Sequence, residues 1–292
     1  MEVAEVRRFH RVVTQRAGVL QEAYLGRDRS LGLDRVLWEI GPDGCDVRAL
    51  RAQLELDSGY LSRLLRSLES DGLVRVETSA GDGRVRIARL TEQGVAERRL
   101  LDERSDELAA SILAPLSERQ RVRLVAAMDE VSRLLTASMV RVEVVDPRRP
   151  EAQYCLQAYF EELGRRFEAG FDHARSIPAG NAELTLPAGL LLMATLRSEP
   201  VGCGGLKLHG DEPAELKRMW VSPDVRGLGV GRRLLSELER EAAAHGAPAV
   251  RLETNRNLTE AIALYRASGY QEVPPFNTEP YAHHWFEKPL NT

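Results

Sequence analysis

Three glycines at alternate positions constrain the fold of this chain more than any other feature. Gly227, Gly229 and Gly231 separate an apolar, strand-like run at residues 215–221 from an amphipathic stretch that ends near residue 244. Glycine positions have no side chain and so let an anion approach the backbone N–H groups, and the N-terminus of a helix adds about half a positive charge. The segment therefore predicts a strand, an anion-binding turn and a helix in succession.

The spacing of these glycines distinguishes three phosphate-binding motifs. A Walker A loop, G-x-x-x-x-G-K-S/T, needs a lysine that does not follow here, and a dinucleotide fingerprint, G-x-G-x-x-G, needs its third glycine one residue later. The remaining pattern, R-x-x-G-x-G, is formed by Arg226, Gly229 and Gly231 and suits a pyrophosphate. An ordinary tight turn is the alternative for this segment taken by itself.

Length and composition favour two domains with separate cores. The chain has 292 residues, of which 43% are apolar and 29% charged, and a domain holds roughly 100 to 200 residues. Its longest apolar run, residues 188–196, is shorter than the roughly 18 residues of a membrane span, and residues 1–10 form no signal peptide. We therefore expect a cytoplasmic protein that binds no membrane.

The cysteine and histidine content argues against a disulfide framework and a zinc site. Cys45, Cys155 and Cys203 are widely spaced, and His283 and His284 are the one close pair of histidines. Adjacent residues of a strand point apart, so we predict no metal site. The net charge is -4, so any contact with nucleic acid must come from local clusters of arginine.

Helical periodicity dominates the first half of the chain. Six helices are predicted. In chain order they span residues 3–20 and 31–40, run from a cap at Asp46 to near residue 54, span residues 58–70, run from a cap at Thr91 to near residue 114, and run from Ser117 to residue 139. Residues 73–90 alternate between apolar and polar about a central AGDG, which predicts two antiparallel strands. Helices followed by a hairpin predict a winged helix-turn-helix.

The predicted helix at residues 58–70 offers a polar face to DNA, because its leucines form one apolar stripe on the other side. Such a face fits a major groove, where arginine pairs with guanine through two hydrogen bonds, and a hairpin tip reaches the minor groove. The alternative is a solvated helix face. The predicted DNA contacts are Ser58, Tyr60, Ser62, Arg63 (on guanine) and Arg66 on the helix, and Arg84 (in the minor groove) and Arg86 on the hairpin.

Residues 67–94, SLESDGLVRVETSAGDGRVRIARLTEQG, resemble the MarR family of dimeric winged-helix regulators. The resemblance covers residues 3–139 and includes Asp82 and Arg84 at the wing tip and L-T-x-x-G at residues 90–94. It implies that Asp82 orients the arginine and that the first and last helices form a homodimer. A two-fold dimer implies a pseudo-palindromic operator in double-stranded DNA, with half-sites about one helical turn apart.

Strands and helices alternate in the second half of the chain. Strands are predicted at residues 190–196, 200–207, 215–221 and 249–254, and helices at 153–165, 231–244 and 259–268. We therefore predict two domains, a mainly α winged helix at residues 1–139 and an α/β domain with a mixed sheet at residues 140–292.

The glycine turn is flanked by two further motifs, ELKRMWVSP before it and NLTEAIALYRASGY at residues 257–270. This three-part spacing resembles the GNAT superfamily of acyl-CoA N-acetyltransferases, from about residue 141 to the C-terminus. The resemblance implies that acetyl-CoA is the acyl donor and that it lies between the strands at residues 215–221 and 249–254. The implied cofactor-binding residues are Met219, Val221 and Asn257 for the pantetheine arm, Arg226, Gly227, Leu228, Gly229, Val230, Gly231 and Arg232 for the pyrophosphate, and Tyr265 at the sulfur.

The resemblance also implies catalytic roles. Glu215, predicted on the same strand face as Val221, matches a glutamate that deprotonates the amine, and a solvated glutamate is the alternative. Tyr265 matches the tyrosine that protonates the sulfur of coenzyme A, and a core tyrosine is the alternative. The Val221 N–H is the implied oxyanion donor.

The acceptor is predicted to be a small amine. Loops around residues 165–176 and 274–288 are expected to form its pocket, in which an acidic group would hold an ammonium; ordinary loop packing is the alternative. The candidate residues are Phe171, Asp172, Glu253, Asn277 and Tyr281. Two functions stay open: an N-acetyltransferase fused to a DNA-binding regulator, or a transcription factor whose second half senses acyl-CoA.

Overall fold

The computed structural model describes residues 2–18, 25, 29–79, 81, 83–168 and 170–290. The chain divides into two compact units, residues 1–129 and 130–292. The division falls inside one helix, Glu118–Ser138, and the predicted domain boundary after residue 139 stays a prediction. In the described part of the chain, no helix is long and apolar enough to cross a membrane.

The first unit has the order of helices and strands that the sequence predicts. The predicted bounds of the second and fourth helices are confirmed to the residue, whereas the first helix ends at Arg16 and the predicted residues 19 and 20 lie outside the described part. The elements are α1 (Glu2–Arg16), α2 (Leu31–Ile40), β1 (Cys45–Asp46), α3 (Val47–Leu54), α4 (Ser58–Ser70), β2 (Val74–Thr78), β3 (Arg86–Leu90), α5 (Glu92–Leu113) and α6 (Glu118–Ser138).

Side-chain caps fix where three of these helices begin. The Asp46 carboxylate accepts hydrogen bonds from the first N–H groups of α3, and the Asp57 carboxylate accepts one from Tyr60 N at 2.8 Å. The Thr91 hydroxyl accepts one from Gly94 N at 3.0 Å. Each cap satisfies an N–H group that has no partner within its helix, so the predicted starts are confirmed.

The core of the first unit is built on α4. Leu61, Leu64, Leu65 and Leu68 are buried against residues of α2, which confirms the predicted apolar stripe. The sheet has three strands in the order β1-β3-β2, of which the sequence predicts the β2–β3 hairpin. The prediction misses β1 because it is two residues long and pairs with β3, which lies far along the chain.

The second unit is a mixed sheet between helices. Its strands are β4 (Arg141–Val145), β5 (Gly189–Leu196), β6 (Glu199–Lys207), β7 (Ala214–Val221), β8 (Ala249–Thr254), β9 (Gln271–Glu272) and β10 (His284–Pro289), in the order β4-β5-β6-β7-β8-β10-β9. Its helices are α7 (Pro150–Arg166), α8 (Val230–Ala244) and α9 (Thr259–Ala267). The sequence predicts the four central strands and all three helices, and it misses β4, β9 and β10.

Strands β7 and β8 form an opening in this sheet. They are parallel, and their register contains two pairs, Ala214 with Val250 and Glu215 with Arg251. Beyond these pairs the two strands form no further ladder pairs with each other. This leaves a gap between them, where the resemblance to the GNAT superfamily implies that acetyl-CoA lies. The open end of β7 therefore turns its backbone towards a ligand-sized space.

A β-bulge lies on β7 beside this gap. The register with β6 shifts between Cys203 and Gly205, and Arg218 has a φ of 56°, which is unusual for a residue with a side chain. Leu216 packs with the buried residues of α8, whereas Trp220 packs with those of α7. In a regular strand, residues separated by an even number of positions lie on the same face. The bulge breaks this alternation and places Glu215 and Val221 on opposite faces, so the expectation that they share a face is wrong.

Candidate active site

The larger cavity of the second unit, here called the groove, has a volume of about 530 Å³. It lies between α7, the open end of β7, the glycine turn, the start of α8, and α9. The groove is lined by nearly all residues predicted to bind the cofactor: Met219, Val221, Arg226, Gly227, Gly229, Val230, Gly231, Arg232 and Tyr265. Leu228 and Asn257 do not line it; the Asn257 amide instead donates to Arg166 O at 2.9 Å.

The glycine turn has the backbone conformation that its residue types predict. Gly227 and Gly229 have φ values of 83° and 78°, which are unfavourable for residues with a Cβ atom. Gly229 is the N-cap of α8, so the first N–H groups of this helix lack partners within the helix and lie at the groove wall. Such N–H groups suit an anion.

Two ion-pairing arginines hold the turn in place. The Arg226 guanidinium donates to both carboxylate oxygens of Glu162, at 2.8 and 2.6 Å, and to Val221 O at 3.2 Å. Arg133 on α6 donates to Gly227 O at 3.0 Å. Neither Glu162 nor Arg133 is predicted from the sequence, because each lies far along the chain from the turn and belongs to no motif.

A smaller space, here called the inner cavity, adjoins the groove and has a volume of about 90 Å³. Among the predicted acceptor residues, Phe171, Glu253 and Tyr281 line it. Asp172 and Asn277 do not: the Asp172 N–H donates to the Tyr281 hydroxyl at 2.9 Å, and the Asn277 amide donates to Glu253 at 3.2 Å. The two spaces share one wall, here called the junction, which consists of Tyr159, Leu163, Met219, Leu258, Ala261 and Tyr265.

Two tyrosines, the buried Tyr265 and the half-buried Tyr159, face both spaces at the junction. Burial raises the pKa of Tyr265 well above its ordinary value. Burial also raises the pKa of Tyr159 to about 12, although the neighbouring Arg218 guanidinium acts in the opposite direction. Both hydroxyls therefore keep their protons at neutral pH and can donate them. The sequence predicts Tyr265, whereas Tyr159 comes from a helix without a motif.

Glu215 lies outside both spaces and belongs to a chain of ion pairs. Its carboxylate is 2.8 Å from Arg251 and 3.4 Å from Lys217, and His209 lies at 3.8 Å. Burial acts to raise the pKa of Glu215, but the charges of Lys217, Arg251 and His209 outweigh it and hold this pKa below its ordinary value. Glu215 is therefore a paired carboxylate with a low proton affinity.

Two other carboxylates line the inner cavity. Glu253 is 2.5 Å from the Lys217 ammonium. Glu279 is buried and accepts hydrogen bonds from the Ser176 hydroxyl at 3.0 Å and from Ile177 N at 2.7 Å. The sequence does not single out Glu279, because it lies in a loop without regular pattern. Among the described residues, no cluster of histidine, cysteine and carboxylate groups could hold a metal ion.

The predicted DNA-reading residues all lie on the surface of the first unit. Ser58, Tyr60, Ser62, Arg63 and Arg66 are exposed on α4, and Arg84 and Arg86 are exposed at and beside the hairpin tip. The Arg63 guanidinium lies 5.6 Å from the Tyr60 ring centroid, and Arg66 Nε donates to Ser62 O at 3.2 Å. Asp82, predicted to orient the wing arginine, lies outside the described residues.

Comparison with known proteins matches each half to one family. The model of the Acetyltransferase (GNAT) family matches residues 156–270, and the MarR family model matches residues 35–85. The IAA acetyltransferase of Azospirillum brasilense is 39% identical over 133 residues, which cover 44% of this chain and 83% of that protein. This chain belongs to the GNAT acetyltransferase family.

One further relative agrees with this membership, and one solved structure resembles the first half of the chain. The GNAT half is 33% identical over 142 residues to the N-alpha-acetyltransferase RimI of Mycobacterium tuberculosis, which cover 48% of this chain and 84% of that protein. A crystal structure of a MarR mutant from Escherichia coli is 24% identical, covers 43% of this chain and 93% of its own, and has a TM-score of 0.39. By the matches of the two family models, the chain joins a MarR-type winged helix-turn-helix to a GNAT acetyltransferase domain, and both predicted families and the fold class are confirmed.

Proposed function

We propose that the GNAT domain transfers the acetyl group of acetyl-CoA to a small amine, and that the MarR-type unit binds operator DNA as a homodimer. The observation that carries the enzymatic part is the shared wall between groove and inner cavity. One space suits a long phosphorylated donor and the other a small acceptor. At their junction lie Met219, whose backbone is not paired with a neighbouring strand, and a tyrosine that keeps its proton.

Binding of the donor would rest on the backbone. The N–H groups from Gly227 to Arg232 would hold the pyrophosphate, because they combine positive φ angles with a helix N-terminus. The amides of Met219 and Val221, on the open end of β7, would hold the pantetheine arm and the thioester oxygen. Acetyl-CoA supplies the activated acetyl group as a thioester.

Proton transfer would rest on side chains at the inner cavity and the junction. When the amine nitrogen bonds to the carbonyl carbon, it must lose a proton, and the carbon–sulfur bond that breaks must gain one. We propose Tyr265 as the donor to sulfur. We propose Glu253 as the acceptor from nitrogen, in place of Glu215: both carboxylates pair with Lys217, but Glu253 lines the cavity and Glu215 does not.

The test is release of free thiol from acetyl-CoA in the presence of a panel of small amines. Glu253→Gln should lower the rate most at low pH, where fewer amines are already neutral, and the rate should partly recover as pH rises. Glu215→Gln should lower the rate without this pH dependence, since its role would be to position Lys217. A stronger pH-dependent loss in Glu215→Gln than in Glu253→Gln would return the base to Glu215.

The homodimer is supported by apolar surface on the first and last helices of the MarR-type half. Neither α1 nor α6 contains a buried residue, although both carry large apolar side chains. Exposed apolar surface of this extent indicates an interface with another molecule. Because regulators of the MarR family are dimers, we propose that a second copy of this chain covers it. The exposed residues are Val3, Val6, Phe9, Val12 and Val13 on α1 and Val122, Val125, Met128, Leu134 and Leu135 on α6.

Sedimentation of paired variants tests this dimer. Phe9→Glu places a carboxylate within the apolar stripe of α1, and Ala4→Glu places the same group on the opposite side of the helix. Phe9→Glu should shift the protein towards monomer and weaken operator binding, whereas Ala4→Glu should do neither. Equal sedimentation of both variants and the wild type would remove α1 from the interface.

The contact between Arg133 and Gly227 favours a second candidate, an acyl-CoA sensor. Arg133 lies on α6, a helix that begins in the first unit, and its partner belongs to the turn proposed to bind pyrophosphate. Occupancy of that turn would change a contact of α6. Titration of operator DNA with and without acetyl-CoA tests the idea: a sensor shifts the affinity by about 1 to 3 kcal/mol, and an unchanged affinity removes it.

A further inference from the structure

Arg218 is a buried cation at the wall of the inner cavity. It lies on the bulge of β7 with a φ of 56°, and it is 6% exposed. Its guanidinium carbon lies 4.6 Å from the ring centroid of Phe160 and 5.7 Å from that of Tyr159, both on α7. Since Arg218 and Tyr159 both line the inner cavity, the cation stands at its edge rather than in the packed core.

Among the described residues, no carboxylate forms an ion pair with this guanidinium. No carboxylate oxygen lies within 4.0 Å of Arg218; the nearby Glu183 carboxylate instead pairs with Lys207 at 2.6 Å. The guanidinium shares a hydrogen bond with the Tyr159 hydroxyl, but its Nε has no hydrogen-bond partner. The neighbouring cations are all paired: Lys217 with Glu215 and Glu253, and Arg251 with Glu215. A buried charge without a counter-ion is costly, so this arrangement points to a ligand that supplies the missing anion.

The inner cavity is also lined by a carboxylate, that of Glu279, which forms no ion pair with a cation of the described residues. Glu279 lines the same cavity, is 9% exposed, and accepts hydrogen bonds from the neutral groups of Ser176, Ile177 and Tyr281. No lysine, arginine or histidine nitrogen of the described residues forms an ion pair with it. One small space is thus bordered by an unpaired guanidinium and an unpaired carboxylate.

We infer that the acceptor is an amine that also bears a carboxylate, an amino acid or a close derivative, and that Arg218 binds this carboxylate. The inference rests on the acetyl transfer proposed above. A planar guanidinium matches a carboxylate through two parallel hydrogen bonds, which an uncharged substituent cannot replace. The carboxylates of Glu253 and Glu279 would receive the ammonium end of the same molecule. Arg218 would therefore be a specificity-determining residue.

The experiment compares paired acceptors that differ in one group, each amino acid with the amine obtained by removing its carboxylate. In the wild type, kcat/KM for the best amino acid should exceed that for its decarboxylated partner by about 10- to 10²-fold. Arg218→Met should lower kcat/KM for the amino acid far more than for the decarboxylated amine and so remove this preference, and Arg218→Lys should keep part of it. Calorimetric binding of acetyl-CoA verifies that each variant is folded.

The outcomes separate this inference from the proposed function. Turnover of amines with no preference for the carboxylate, or a preference that survives in Arg218→Met, overturns the role of Arg218 and leaves acetyl transfer intact. Absence of thiol release with every amine refutes acetyl transfer. In that case, binding of the N-acetylated amino acid to the wild type, compared with the N-acetylated amine, decides the carboxylate site: equal affinities overturn it, and tighter binding of the acid that Arg218→Met abolishes supports it.

Discussion

Substitution of Gly229 separates two reasons for the glycine turn, backbone conformation and access of an anion. Gly229 has a φ of 78°, and a Cβ added there meets no atom within 4 Å. Gly229→Ala therefore has room for its methyl group and suffers only the left-handed backbone, which costs about 1–2 kcal/mol. That cost applies with or without ligand, so Gly229→Ala should lower the melting temperature and change the acetyl-CoA affinity little.

Gly229→Asp adds a carboxylate beside the N–H groups expected to hold the pyrophosphate. At a separation of about 5 Å and an effective dielectric constant of about 20, one pair of like charges costs about 3 kcal/mol, or roughly a 10²-fold loss of affinity. Calorimetric titration with acetyl-CoA measures this loss, and thermal melting verifies folding. A folded Gly229→Asp with wild-type affinity would refute the assignment of the turn, and equal losses in both variants would assign the effect to the backbone alone.

Three further predictions concern the DNA face, the junction and the contact from α6. Arg63→Ala should cost about 1–3 kcal/mol of discrimination between operator and random duplex, whereas Arg84→Ala should weaken binding with a smaller salt slope; equal binding of both duplexes by the wild type at every salt concentration would contradict the reading face. Tyr265→Phe should lower kcat by about 10- to 10⁴-fold with acetyl-CoA affinity nearly intact, because it removes the proton donor and keeps the ring; a larger loss in Tyr159→Phe, the other tyrosine of the junction, would transfer the acid role to Tyr159. Arg133→Ala should weaken acetyl-CoA binding by about 2- to 10-fold, because it removes a hydrogen bond worth about 0.5–1.5 kcal/mol from the turn; calorimetry giving the same loss for Arg119→Ala, on the same helix, would show that the effect is not local.

Local signals in the sequence were sufficient for the helices and for the cofactor turn. Caps such as Asp46, Asp57 and Thr91 act on backbone groups two or three residues away, so their meaning can be read from the sequence alone. The φ values of Gly227 and Gly229 likewise follow from residue type and spacing. Strands β1, β4 and β10 escaped prediction because their pairing partners lie elsewhere in the chain.

The acceptor side of the site depends on tertiary structure. A single bulge in β7 puts Glu215 and Val221 on opposite faces of the strand, and Arg218, at the bulge, lines the inner cavity. Tyr159 and Glu279 reach the same cavity from a helix and a loop that share no motif. No periodicity encodes these juxtapositions, so the sequence predicts the conformation of the glycine turn but not the presence of Tyr159, Arg218 and Glu279 at the inner cavity.

We propose that the GNAT domain is an enzyme rather than a sensor. The most direct test of this proposal measures thiol release and operator affinity on the same preparations of wild type and Tyr265→Phe, each with and without acetyl-CoA, in the presence of the best amine. We expect thiol release and an N-acetylated product from the wild type, strongly reduced in Tyr265→Phe, with equal operator affinity for the two proteins. No product with any amine, together with a clear shift of operator affinity on addition of acetyl-CoA, would contradict it and establish the sensor.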